Sequence, residues 1–239
     1  MSRTSRPGSM PTRVVLFDFD GVLADTENIH IAAWQRTLAQ LGFELDDARC
    51  ARSAEVDDRL FLREFFEGLQ IEKADVEGWV RKKQTLVATL LEHSPRLYPG
   101  VSALVHALAP HVRLGIVTTT WRENVESVLR SSGLASLFQV VIGKEDVKEP
   151  KPAPDGYLLA LKRLGIEAEE AVTLEDSPTG VTAAQGAGLR VLAVGHRRNP
   201  GEWSKTSEYL ENLTNINRVM ELLNLPSLGA AADPSQPSG

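Results

Sequence analysis

Two carboxylates one residue apart, Asp18 and Asp20, follow directly on the apolar run Val14-Val15-Leu16-Phe17. Such a run reads as a buried strand, and carboxylates at its end cost several kcal/mol each unless a cation or hydrogen-bond donors compensate. A second acidic pair, Glu175-Asp176, closes the apolar run Ala171-Val172-Thr173-Leu174. Between the two pairs come the hydroxyls of Thr118, Thr119 and Thr120 after Gly115-Ile116-Val117, and Lys151 between two prolines in KEPKPAPDGY. Hard oxygen ligands of this kind suit Mg²⁺, which takes one or two carboxylates with waters and a substrate phosphate. Adjacent hydroxyls, loop N–H groups and a lysine suit a phosphate dianion. A carboxylate kept ionised by a metal can attack phosphorus and become an aspartyl-phosphate. A second carboxylate, in a different environment, can protonate the leaving oxygen and later deprotonate water.

Those groups meet only if the elements carrying them bring one set of strand ends together. Short β-branched runs at 13–17, 112–117, 139–142, 171–174 and 190–194 alternate with amphipathic stretches at 100–109, 122–132, 154–164 and 179–187. That alternation predicts βαβ units in a doubly wound, Rossmann-like α/β fold with a parallel sheet covered on both faces. Gly133, Gly165 and Gly188 each follow the last periodic residue of a helix, where a left-handed cap is wanted. In an open parallel sheet the crevice lies beyond the carboxyl ends of the strands, where all four polar signals fall.

The rhythm breaks between the first and second strands. Residues 26–97 carry only helical pattern, with apolar faces such as Leu60, Leu62, Phe65, Phe66 and Leu69. That length is too great for a connection within a sheet domain. It predicts an inserted all-helical cap domain at 26–97, closed by Pro95 and Pro99-Gly100, on a core made of 12–25 and 98–226. Residues 1–11 and the small, polar, Pro-rich tail 227–239 are expected to be disordered.

The whole-chain properties exclude several classes. A net charge of −6 with scattered Lys and Arg offers no nucleic-acid patch. No apolar run approaches the ~20 residues of a membrane span, and the first ten residues lack the apolar stretch of a secretory signal. The single cysteine, Cys50, excludes an internal disulfide and suits a cytoplasmic protein. The expected partner is a small phosphorylated substrate, with no nucleic acid and no membrane; a monomer or weak homodimer would suit such an enzyme.

Taken together and in order, Asp18-x-Asp20-Gly-Val-Leu, Thr118 after an apolar strand, Lys151 in KPxPD and Glu175-Asp176 in EDSxxG resemble the haloacid dehalogenase superfamily. The helical insert resembles the cap of its phosphoglucomutase-like branch. The resemblance runs over about residues 13–223, and its specificity lies in the four motifs jointly, since a lone DxD is common. It implies Asp18 as nucleophile and Mg²⁺ ligand, and Asp20 as acid/base whose main-chain carbonyl also meets the metal. It further implies Thr118, Thr119 and Lys151 as phosphoryl-binding groups and Glu175 and Asp176 as the rest of the metal site. The superfamily's true dehalogenases lack the second acid and need no metal, so Asp20 argues for phosphoryl chemistry.

The resemblance also points into the cap. In DTENIHIAAW, Thr26 and His30 occupy positions that couple cap closure to the acid/base, although Thr26 also reads as a plain helix N-cap and His30 as a surface histidine. Lys83 resembles a cap lysine that reaches the site, while Arg81-Lys82-Lys83 also reads as a solvated face. A Schiff-base role would require one of these lysines buried with a depressed pKa. The cap loop of mutases carries an arginine for a second phosphate. Here Arg52 and Arg59 are displaced, with Glu55, Asp57 and Asp58 between them. His93, His106, His111 and His196 lack ligand spacing and read as surface residues. The four tryptophans read as packing groups, with Trp121 placed to rim a pocket. The implied function is a Mg²⁺-dependent phosphatase of a sugar-phosphate-like metabolite. The alternative is a phosphosugar mutase, followed by a non-catalytic phosphate-binding or signalling domain.

Overall fold

The computed structural model describes residues 11–56, 58–71, 74–93, 96–196 and 208–228, without the side chains of Glu27, Ala54, Glu55, Glu92 and His93. The expected disordered start and most of the tail, together with Asp57, Pro95 and Trp203, lie outside the described residues, as do the side chains of Glu55 and His93.

The central strand β1 (Val14–Phe17) is buried along its whole length, as a continuous apolar run between two covered faces must be. It pairs in parallel with β2 (Arg113–Val117) on one side and β4 (Ala171–Glu175) on the other. With β3 (Phe138–Ile142), β5 (Arg190–Val194) and β6 (Tyr209–Leu210) the order is β3-β2-β1-β4-β5-β6. Phe17 stands opposite Ile116 and Leu174, so Asp18 emerges level with Val117 and Glu175. The register alone therefore delivers the two acidic pairs to one edge.

Alternate residues of the sheet feed two apolar layers. Val15 and Phe17 pack with α5 (Val101–Leu108), α6 (Arg122–Ser131) and α9 (Ile216–Leu222). Val14 and Leu16 pack with α7 (Asp155–Leu164) and α8 (Pro178–Gly186). The predicted glycine caps are borne out: Gly133, Gly165 and Gly188 have φ of +73°, +63° and +79°. The last strand and last helix escaped the sequence reading, because two residues of β6 and seven of α9 are too short to show a period.

Between β1 and α5 lie the inserted helices α1 (Glu27–Ala39), α2 (Asp47–Glu55), α3 (Asp58–Gly68) and α4 (Val76–His93). They bury a cluster of their own in which Trp34 meets Phe61, Leu62, Phe65, Phe66 and Val80. The 61/62/65/66 spacing places those side chains on one face of α3. Asp46 caps α2 by accepting from the Arg49 N–H at 2.8 Å. Entry and exit of the insert run side by side: Asp25 N–H donates to the Arg96 carbonyl and Tyr98 N–H to that of Leu23. No helix among the described residues is long and apolar enough to cross a membrane.

Candidate active site

Lys151 is the hub of the sheet edge. Its Nζ donates to Asp18 Oδ1 at 2.7 Å, to Glu175 Oε1 at 2.6 Å and to the Val117 carbonyl at 2.8 Å. All three ionised groups are buried. Burial pushes the Glu175 carboxyl up to about 7, against the pull of Lys151, and raises Asp18 likewise. Burial alone would lower the lysine, but Asp18 and Glu175 outweigh it and hold the ammonium well above its ordinary range. Tyr157 donates a further hydrogen bond to Glu175 Oε1. The other oxygen, Oε2, is buried without a hydrogen-bond partner.

Asp18, Glu175 and Asp176 each offer an oxygen, and these oxygens lie within 4.8 Å of one another. Two glycines make room for this cluster. A Cβ on Gly21, whose φ is +83°, would stand 1.9 Å from Asp176 Oδ2, and one on Gly180 would stand 2.1 Å from Glu175 Oε2. Three converging carboxylates, one with a donor-free oxygen, fit a hard divalent cation. The Asp20 carboxylate stands outside the cluster. Its Oδ1 accepts from Thr26 Oγ1 and its Oδ2 from Thr120 Oγ1. The plain N-cap reading of Thr26 is thereby corrected: Thr26 stands at the N-cap position, but its hydroxyl forms no cap bond and instead donates to the Asp20 carboxyl.

A cavity of about 350 Å³ opens on Asp18, Thr119, Thr120 and Lys151. Thr118 is turned inward, and its hydroxyl accepts the Thr120 N–H at 3.0 Å. Lys144 and Trp121 border the cavity from the core, and His30, Val56, Asp58 and Gln84 from the inserted helices. Trp121 thus rims the pocket as its position implied.

The solvated-face reading of Lys83 is overturned, since the residue is 1 % exposed. Its Nζ lies 2.7 Å from His30 Nδ1 and 3.0 and 3.1 Å from the two oxygens of Asp58. His30 is accordingly no surface histidine: burial and the neighbouring ammonium lower its pKa to about 3, so the ring is neutral. Burial lowers Lys83 while Asp58 pulls the other way. The pairing with Asp58 occupies the amine that a Schiff base would need. Asp58 also accepts from Gln84 Nε2 at 2.6 Å and Trp34 Nε1 at 3.2 Å. Arg52 and Arg59 pair instead with Glu64 and Glu77 on the exposed side of the insert. His196 is half-buried rather than superficial, stacked on Tyr98 with ring centroids 4.0 Å apart.

The profile of the haloacid dehalogenase-like hydrolases matches residues 15–194. The chain belongs to this family. It is a hydrolase of phosphate esters, and its strand-end motifs are the ones that the sheet register brings together. Protein CbbY of Cereibacter sphaeroides is 33% identical over 230 residues, 91% of this chain and 97% of that protein. The crystal structure of CbbY from Rhodobacter sphaeroides in complex with phosphate superposes with a TM-score of 0.75 at 30% identity, covering 86% of this chain and 96% of that one. A phosphorylated carbohydrates phosphatase of Thermotoga maritima is 34% identical, covering 79% of this chain and 88% of that protein. The β-phosphoglucomutase of Clostridium difficile, at 20% identity and a TM-score of 0.75 over 89% of this chain and 97% of that one, shares the fold.

Three contacts were not read from the sequence: Tyr157 on Glu175, Asp58 on Lys83, and Thr120 on Asp20. Tyr157 had a signal, since it lies on the first turn of the helix that follows KPxPD. Asp58 had none, because its partner is 25 residues away on another helix.

Proposed function

We propose that this hydrolase is a Mg²⁺-dependent phosphatase of a small, sugar-phosphate-like metabolite. The observation that supports it best is the buried Asp18–Lys151–Glu175 cluster, with its donor-free carboxylate oxygen, whose Asp18 and Lys151 line a cavity of about 350 Å³. Asp18, Glu175, Asp176 and the main chain at Asp20 would hold the metal. When bound, Mg²⁺ supplies positive charge that offsets the phosphate dianion and the developing transition-state charge. An Asp18 carboxylate oxygen attacks phosphorus, and the bond to the leaving oxygen breaks as Asp20 gives that oxygen its proton. Asp20 then takes a proton from water, whose oxygen attacks phosphorus and frees the Asp18 carboxylate. Lys151 keeps Asp18 aimed, and Thr119 stands at the cavity wall where a phosphoryl oxygen would lie. Thr118 and Lys151 would hold phosphoryl oxygens with Thr119, the Thr118 hydroxyl also accepting the Thr120 N–H.

In this reading residues 26–97 are a cap over the core formed by 12–25 and 98–226. Thr26 links the cap's first residues to Asp20, and the neutral His30, held by Lys83, faces the substrate cavity from the cap. Hydrolysis is favoured over mutase action because both displaced cap arginines are paired with glutamates at exposed positions, while Val56 and Asp58 border the cavity. A phosphomonoester panel with Mg²⁺ tests the proposal, with Asp18→Asn expected to abolish turnover while leaving the circular dichroism unchanged. Release of free phosphate from a hexose 1-phosphate supports a phosphatase. Isomerised product with a trace of bisphosphate would mean a mutase, and inactivity across the panel would refute both.

A further inference from the structure

Tyr157 is wholly buried on the first turn of α7, does not border the substrate cavity, and has no part in the chemistry above. Its hydroxyl nevertheless sits in a directed chain. Thr173 and Glu175, two apart on β4, face the same side of the sheet, the side covered by α7. Thr173 Oγ1 donates to Tyr157 Oη at 3.2 Å, and Tyr157 donates to Glu175 Oε1. With Glu175 ionised, as metal binding requires, the carboxylate can only accept, which sets the direction. Oε1 therefore carries two donors, Tyr157 and Lys151, while Oε2 carries none.

The two donors differ in what they hold. Lys151 is shared among Glu175, Asp18 and the Val117 carbonyl, so it follows Asp18 as closely as it follows Glu175. Tyr157 donates to Glu175 alone, and its rigid ring is packed into the apolar layer under the sheet. A half-turn would only exchange two equivalent oxygens, but any partial rotation of the carboxylate plane would stretch both bonds, and only the tyrosine resists it independently of Asp18. We propose that Tyr157, braced by Thr173, is a positioning residue that fixes the rotation of Glu175, so that its donor-free oxygen is the one offered to a divalent cation. The proposal rests on the reading of the carboxylate cluster as a Mg²⁺ site.

Titration calorimetry with Mg²⁺ alone, on wild type, Tyr157→Phe and Thr173→Val, tests it. Tyr157→Phe removes one oxygen and keeps the ring; it is expected to weaken Mg²⁺ binding by about 10–100-fold, the range for groups that orient metal ligands. Thr173→Val, isosteric and one bond further out, should weaken it less. At saturating Mg²⁺ the Phe variant's KM for a phosphomonoester should match wild type, which a general loosening of the site would not allow. Equal Mg²⁺ affinity in wild type and Tyr157→Phe overturns the proposal. If the Phe variant fails to fold, unchanged affinity in Thr173→Val overturns it and weakened affinity supports it. A wild type that binds no Mg²⁺ refutes the metal reading itself, so the two failures are distinct.

Discussion

Replacing Lys151 with methionine removes one ammonium and keeps a side chain of similar length. In the wild type that ammonium lies 2.7 Å from Asp18 and 2.6 Å from Glu175, with the lysine side chain 8 % exposed. Removing one partner of a buried ion pair costs roughly 3–5 kcal/mol, because the remaining charge stays buried without compensation. Here two carboxylates lose the same cation, so the loss should reach that range whenever both are ionised. Their ionisation makes the effect depend on pH. Burial already lifts Glu175 to about 7 and raises Asp18 while Lys151 pulls both down, so without the lysine both rise further. A carboxyl whose pKa is higher in the folded chain than in the unfolded one contributes stability below its unfolded value and loses that contribution as pH climbs through its folded value. The Lys151→Met deficit should therefore be small near about pH 5, where Glu175 is protonated with or without the lysine, and should grow as the pH climbs above about 7 toward about pH 9. Urea unfolding of both proteins in a chelator, at intervals across that range, measures it. A deficit of equal size at both ends would mean that lost packing, not unpaired charge, sets the cost, and the account of Lys151 as the electrostatic hub would be wrong.

Asp20→Asn should lower turnover of alkyl phosphates by roughly 10²–10⁴-fold. With p-nitrophenyl phosphate, whose leaving group needs no proton, stopped flow should show a stoichiometric burst followed by slow turnover. Thr26→Val removes a hydroxyl donor to the Asp20 carboxyl, a bond worth about 0.5–1.5 kcal/mol. It should cut kcat by about two- to tenfold, with Mg²⁺ affinity by calorimetry unchanged. Gly21→Ala places a Cβ 1.9 Å from Asp176 Oδ2 at a φ of +83°. It should destabilise the fold by about 1–2 kcal/mol in urea titrations and weaken Mg²⁺ binding as Asp176 is displaced.

Much of the fold was legible because its signals are local. Continuous apolar runs of four or five residues bounded by polar loops, with glycines at helix ends, announce a parallel sheet before any contact is known. The seventy-residue interval without a strand announced the inserted helices by length alone. The acidic pairs, the threonine loop and Lys151 were legible for a related reason: each directly follows a strand, and parallel strands deliver their ends to one edge. β6 and α9 were not legible, since neither is long enough to complete a period.

The partner of each charged side chain belonged to the tertiary structure. Lys83 sits in a run of three cations that reads as a solvated face, yet helix packing buries it between His30 and Asp58. The Thr26 hydroxyl had a local use as a cap, but folding sets it to donate to the Asp20 carboxyl and leaves the cap bond unmade. Tyr157 was marked only by its place just after KPxPD, and its bond to Glu175 was set when β4 and α7 packed together. Residue type and spacing along the chain decided which chemistry was available at the strand ends, because backbone periodicity is set by neighbours. Which oxygen each donor meets, and which is left bare for a cation, was decided only by packing, because hydrogen bonds form between atoms that folding brings close, whatever their separation in sequence.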